Sequence, residues 1–170
     1  MQKRLVSLQK EDEDINSGIF IDKKPDYDIL SIILPNIDWN IMVEAYTLFH
    51  HAFMKAKKKD RNVLFLFDLS NTEFKNISMT AIQKFANCHS IYKNDYSSWL
   101  LGTFILFSEK NKIYAGTLNY LLNIFYTPIR PLKITTSRND LESFVEKTKM
   151  STDVNVENCI ECKEIYNLRS

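Results

Sequence analysis

Glycine is scarce in this chain: there are three among 170 residues. Glycine-rich phosphate loops and strand-to-helix nucleophile elbows need closely spaced glycines, so those chemistries are excluded. No serine sits in a Gly-x-Ser-x-Gly setting. Cysteine is scarce too. Three thiols, an odd number, fit a reducing interior better than a disulfide framework. No apolar run approaches the ~20 residues of a membrane-spanning helix. The N-terminus carries Lys3, Arg4, Lys10 and the acidic run Glu11-Asp12-Glu13-Asp14, and lacks the apolar centre of a signal peptide. A cytoplasmic protein with no transmembrane segment is expected. Net charge is nearly absent, since 22 basic against 21 acidic residues leave +1. No global field draws nucleic acid, and none is expected as a partner.

What is present is a globular composition, 45% hydrophobic and 25% charged. Residues 1–18 are polar and read as a flexible arm, with a short strand at Arg4–Leu8 as the alternative. Ile19–Asp22 and Tyr27–Leu34 are β-rich runs around the turn residues Lys23-Lys24-Pro25-Asp26, which suggests a hairpin. Trp39–Lys59 has helical spacing through Met42, Ala45, Tyr46, Phe49, Phe53 and Ala56. Val63–Phe67 is apolar at every position, as in a strand buried on both faces of a parallel sheet. Ser78 or Thr80 opens another helix, striped by Ile82, Phe85, Ala86, His89 and Tyr92. Asn94–Ser98 reads as a polar loop. Trp99–Phe107 is a second apolar strand, and Lys112–Tyr126 a helix ended by Pro128 and Pro131. Leu132–Thr136 is a short strand. Ser137 then caps a last helix whose buried face is Leu141, Phe144 and Val145. Residues 150–170 lose periodicity and read as a tail.

This order, with the segment Leu64-Phe-Leu-Phe-Asp68-Leu69-Ser70-Asn-Thr-Glu-Phe74-Lys-Asn76-Ile-Ser78-Met79, resembles STAS domains, found in bacterial anti-sigma-factor antagonists and transporter tails. Their pattern is an apolar strand, Asp-Leu-Ser, an aromatic, then Asp-Ser-Ser-Gly opening a helix. Asp68-Leu69-Ser70 and Phe74 fit, and Ser78 falls where the family's regulatory phosphoserine lies. Asn76-Ile77 replace Asp-Ser, and Met79 replaces Gly. The second half, Leu101–Phe107, the helix at Lys112–Tyr126, Leu132–Ser137 and Asp140–Phe144, is similar to the STAS-like branch related to CRAL-TRIO lipid carriers. The resemblance spans roughly Phe20–Lys149. It implies an α/β fold, a STAS-like mixed sheet of four to five strands with about four helices packed against it, over residues 19–149. It also implies a regulatory or partner-binding surface at Ser70, Phe74, Ser78 and Met79.

Other constellations have simpler readings beside functional ones. A serine at a helix start caps unpaired N–H groups whether or not it is modified; a phosphate there would add about two negative charges. Lys55, Lys57, Lys58 and Lys59 complement a helix C-terminus or attract an anionic partner. Cys159-Ile-Glu-Cys162 lacks the second pair that a zinc site needs. His50 and His51, about 100° apart on a helix, do not chelate one ion. Asp68 ends a central strand, where α/β folds place ligands, or it caps the next loop. No metal and no cofactor are expected.

Two functions are carried forward. The first is a non-catalytic regulatory or scaffolding domain that binds another protein of unidentified kind, with self-association open through an exposed edge strand. The second is a carrier or sensor of a lipid or other apolar ligand, its pocket lined by Phe49, Phe53, Tyr114, Leu118, Leu121 and Phe125. The same six residues are simply core if their helices pack closely on the sheet.

Overall fold

A computed structural model describes residues 3–6, 18–33, 39–74, 80, 83, 87, 90–125 and 130–150, with the backbone alone at 3–6, 39–45, 125 and 150. The elements are β1 (Lys3–Val6), β2 (Gly18–Lys23), β3 (Tyr27–Ile33), α1 (Trp39–Lys57), β4 (Asn62–Leu69), α2 (Lys93–Trp99), β5 (Leu100–Phe107), a 3-10 turn (Glu109–Asn111), α3 (Lys112–Phe125), β6 (Leu132–Thr135) and α4 (Asp140–Met150). Thr80, Gln83, Asn87, Ser90 and Ile91 also carry helical backbone. The helix has therefore begun by Thr80. The first four of these positions recur at spacings of three and four, and all five are exposed. The stripe Ile82, Phe85, Ala86 and His89 lies outside the described residues, as do Ser78 and Met79.

The six strands form one mixed sheet in sequential order, β1 to β6. β1, β2 and β3 are antiparallel neighbours, while β3, β4, β5 and β6 run parallel. The expected α/β mixed sheet is thus present, with one strand more than the four to five anticipated. The addition is β1, which lies within residues 1–18, read above as an arm with a short strand at Arg4–Leu8 as the alternative. Four residues with only Leu5 and Val6 apolar carry almost no periodic signal. Backbone pairing of Lys3 with Ile21 and Arg4 with Phe20 places the strand.

Sequential order decides where the helices go. Right-handed crossovers between successive parallel neighbours deliver their helices to one face. Tyr46, Phe49 and Phe53 of α1, Tyr96 of α2, and Ala115 and Leu122 of α3 share a single core with Val63, Phe65 and Phe67. The opposite face belongs to α4, whose Phe144 and Val145 pack on Ile29, Leu64, Leu66, Phe104 and Leu106. β4 therefore alternates between two cores, which explains its unbroken apolar run.

One detail corrects the sequence reading, and a second lay beyond its reach. Asn94–Ser98 is helical within α2, where a polar loop was expected. Its one buried anchor is Tyr96, whose ring meets Phe53 at 4.9 Å and Phe65 at 5.2 Å. A helix of seven residues held by one aromatic has no sequence period to detect. A bulge also shifts register between β4 and β5. Val63 pairs with Leu100, but Leu64 pairs with Gly102. Leu101 is the extra residue, so Leu100 faces the first core and Leu101 the second.

The bulge delivers Gly102 beneath α4. A Cβ there would lie 2.8 Å from the Pro131 carbonyl oxygen, 3.0 Å from Phe144 Cζ and 3.1 Å from Thr148 Cγ2. Thr103 N–H also donates to the Pro131 carbonyl at 2.9 Å, which fixes that backbone in place. At the same end of the strands, Arg61 donates from Nε to Asp28 at 2.8 Å and from its NH2 nitrogen to the Lys24 and Tyr27 carbonyls at 2.5 and 2.8 Å. This ties the hairpin turn to the start of β4. Gly102→Ala should lower stability by about 1–3 kcal/mol, the usual cost of forcing an extra methyl into packed surroundings. Denaturant titration checks it, and an unchanged midpoint would refute the close approach.

Candidate functional site

The parallel strands β4, β5 and β6 end along one edge, where open α/β sheets commonly hold ligands. Asp68 closes β4. Its Oδ1 accepts the Ser70 hydroxyl at 2.5 Å and the Ser70 N–H at 3.2 Å. Ser70, expected on a partner surface, is therefore half-buried and engaged in closing its own strand end. The other carboxylate oxygen, Oδ2, meets Arg138 at 3.0 Å. That bond joins the end of β4 to the loop before α4. The Thr136 hydroxyl donates to Glu109, tying the end of β6 to the turn after β5. Thr135 donates to Asp140 at 2.9 Å and accepts the Ser137 N–H at 3.0 Å. The α4 entry is thus built from Thr135, Ser137 and Asp140 together. This edge is polar, and its named side chains bond to one another.

The segment after β4 continues onto α3. Asn111 donates to the Thr72 carbonyl at 3.2 Å. Phe74 stacks on Phe107 at 5.4 Å and on Tyr114 at 4.8 Å, at interplanar angles of 25° and 19°. Phe74 is therefore buried, and it docks the segment against the first turn of α3. The other two expected surface residues, Ser78 and Met79, lie outside the described residues.

Outward of this stack, α3 exposes an apolar stripe. Ile113 is 65% exposed, Tyr120 54% and Ile124 52%. At ~100° per residue these three lie within about 40° of one another around the helix. Scattered exposed apolar residues are ordinary, but three large ones aligned on one helix are not scattered. Thr117 falls in the same stripe, and its hydroxyl donates to the Ile113 carbonyl at 3.1 Å. Lys112 is the only charged residue of the helix. None of these positions was singled out from sequence. The clue available there was a 14-residue helix segment with one charge.

The residues proposed to line an apolar pocket divide. Phe49 and Phe53 are fully buried in ring contacts, with Phe49 4.2 Å from Phe65 and Phe53 4.9 Å from Tyr96. Leu121 is buried, Tyr114 and Leu118 are half-buried, and the Phe125 side chain lies outside the described residues. Phe49 and Phe53 fill the core between α1 and the sheet. Tyr114, Leu118 and Leu121 belong to α3, further along it.

The remaining candidates hold structural positions. Lys57 pairs with Asp95 at 2.5 Å, while Lys55, Lys58 and Lys59 are exposed. His51 is exposed, whereas His50 stacks on Tyr92 at 3.5 Å. The Tyr46 and Tyr96 hydroxyls meet at 2.8 Å, and His50 Nδ1 lies 3.4 Å from the Tyr96 hydroxyl. Among the described residues no three of His, Cys, Asp and Glu gather as a metal-holding group. Cys159 and Cys162 lie outside them. No helix of the described residues is long and apolar enough to cross a membrane.

No protein-family model matches the chain, and no curated protein or solved structure matches it.

Burial holds the His50 imidazole below its usual range, with Asp95 pulling the other way. A group whose folded pKa is depressed binds its proton more readily when unfolded. Its stabilising contribution is therefore complete above about pH 6.5 and is lost as pH falls below that value. His50→Gln should flatten the melting temperature profile between about pH 5 and 7. A profile identical to that of the parent would refute the assignment.

Proposed function

We propose that this chain is a STAS-like, non-catalytic regulatory or scaffolding module that binds protein in a reducing cytoplasmic interior. The observation that carries the reading is the exposed stripe Ile113, Tyr120 and Ile124 on α3, adjoining the Phe74–Tyr114 stack. Aligned apolar residues on a solvent-facing helix are how helical surfaces engage partners. The order of hairpin and crossovers on which the STAS resemblance rests supports the same class. A binding role also suits the polar groups at the strand ends. Asp68 is committed to Ser70 and Arg138, and Glu109 to Thr136. Such bonds position segments and require no substrate.

The surface is thus displaced from the one that the family resemblance implies. Phe74 supports it from beneath through its stack on Tyr114, and α3 presents it. The competing reading, a carrier of an apolar ligand, needs space around Phe49 and Phe53, whose rings contact Phe65 and Tyr96 directly.

Native mass spectrometry of the chain isolated under mild conditions separates the two. Protein-bound species are expected, lost in Tyr120→Lys without a change in melting temperature, since an exposed substitution typically shifts stability by under ~0.5 kcal/mol. A lipid retained at one per chain, or complexes indifferent to Tyr120→Lys, would overturn the binding-module reading.

A further inference from the structure

We propose that the segment following α4 crosses the edge of the sheet and docks its acidic side chains on the lysines at the end of α1. The occupant is this chain's own residues 151–170, which lie outside the described residues. The contact is separate from the α3 surface. Three observations carry it.

The first is unbalanced charge at the end of α1. Lys55, Lys58 and Lys59 are exposed. Among the described residues, Lys57 is the one of this group that is paired, with Asp95. The helical turn continues past Lys57, since the Lys58 N–H donates to the Met54 carbonyl at 3.1 Å and the Lys59 N–H to Ala56 at 2.9 Å. Lys58 and Lys59 therefore stand one turn beyond Lys55, where like charges repel. The roughly −0.5 charge of a helix C-terminus, with the exposed Asp60, offsets only about half of the three cations. The remainder calls for an anion.

The second is the composition of the segment. Residues 151–162 carry Asp153, Glu157 and Glu161 and no lysine or arginine. Glu157 and Glu161 are four residues apart, as are Lys55 and Lys59. A helical turn formed on contact would set the two acids along one side, at the spacing of the lysines.

The third is where α4 delivers the chain. α4 starts at the carboxyl edge of the sheet, where Thr135 bonds to Asp140. It ends at the amino edge, where Lys149 meets Asp26 at 2.9 Å and lies 4.7 Å over the Tyr27 ring. The Tyr27 carbonyl accepts Arg61, whose own N–H donates to the Ala56 carbonyl in the last turn of α1. The ends of α4 and α1 thus occupy the same edge on opposite faces. Taking ~10 Å per packed layer, they are about 20 Å apart. The seven residues from Met150 to Glu157 span up to about 24 Å when extended. Glu157 and Glu161 reach the lysines, and Asp153 stays at the edge.

Exposed ion pairs are individually weak. The tether compensates by making the encounter intramolecular, at an effective concentration of about millimolar. An anionic partner would gain the basic end of α1 only by displacing the segment.

Zero-length carbodiimide cross-linking of the full chain, read by peptide mass spectrometry, tests the contact. At about 10 μM chain and low ionic strength, where screening lengths reach ~30 Å, monomeric product should link Glu157 or Glu161 to Lys55, Lys58 or Lys59. Lys23, exposed on the hairpin that α4 itself contacts, is the reference. Its links to the same two acids should be roughly fivefold fewer, and salt at about 1 M should remove the difference. Lys55→Glu, Lys58→Glu and Lys59→Glu together should abolish the links. Adding Glu157→Lys and Glu161→Lys should restore them with donor and acceptor exchanged. Links absent from the three lysines, equal at Lys23, or indifferent to salt would overturn the proposal. Links found only in covalent dimers would overturn it too, since the seat would then be filled by another copy. The wild-type measurement needs no variant, so misfolding does not shield the proposal. Its failure leaves the α3 reading untouched, because that surface is tested on a different helix.

Discussion

Everything in this fold follows from a strand that must be covered on both sides. β4 is buried from Val63 to Phe67, and its side chains alternate between two cores. One face is supplied by the crossing helices, which sequential strand order sends to the same side. The other face falls to α4. That helix can approach β5 closely because Gly102 offers no side chain between it and the Pro131 backbone. One of the chain's three glycines therefore serves packing, not phosphate binding. The scarcity of glycine and the absence of glycine-dependent motifs are consistent with a sheet whose glycine answers a steric need.

Layering also determines which surfaces remain. α1 lies on the sheet with Phe49 and Phe53 inserted between Phe65, Phe67 and Tyr96. Its contacts with α2 add the Tyr46–Tyr96–His50 chain and the Lys57–Asp95 pair. α3 packs inward through Ala115 and Leu122, with Tyr114 and Leu118 partly covered. Its opposite side faces solvent with Ile113, Tyr120 and Ile124. A helix that is apolar on its inner side needs a polar outer side to remain a simple surface helix. α3 does not meet that condition.

The doubly buried strands were legible in sequence because burial on both faces leaves nothing polar to interrupt the run. The helix starting at Trp39 was legible because its inner stripe is long. α2 was not, since a single tyrosine anchors it among Lys93, Asn94, Asp95 and two serines. β1 was legible only as an alternative, a short strand at Arg4–Leu8 in place of an arm, because four residues with two apolar side chains carry little pattern. At the candidate site, Ser70 and Phe74 could be named from their motif but not given their roles. Ser70 closes a strand through Asp68 two residues before it, whereas Phe74 is buried against Phe107 and Tyr114, neighbours distant in sequence. The exposed stripe was hidden by the same property that makes it useful. In a helix apolar on most sides, periodicity picks out the inner face of Tyr114, Leu118 and Leu121 and assigns no meaning to the rest.

Charge placement on the helices argues that α3 is the exceptional one. α4 carries Asp140 and Glu142 in its first turn and Lys147 and Lys149 in its last, each matched to the adjacent dipole end. α1 ends on Lys55 and Lys57. α3 itself carries one charge, Lys112 in its first turn, with the acid Glu109 in the 3-10 turn that runs directly into it. A helix that lies against water gains from matched termini and an ionic outer face, both easily obtained by surface substitution. The scarcity of charge on a helix that also exposes three large apolar side chains is what the proposed contact with protein would account for.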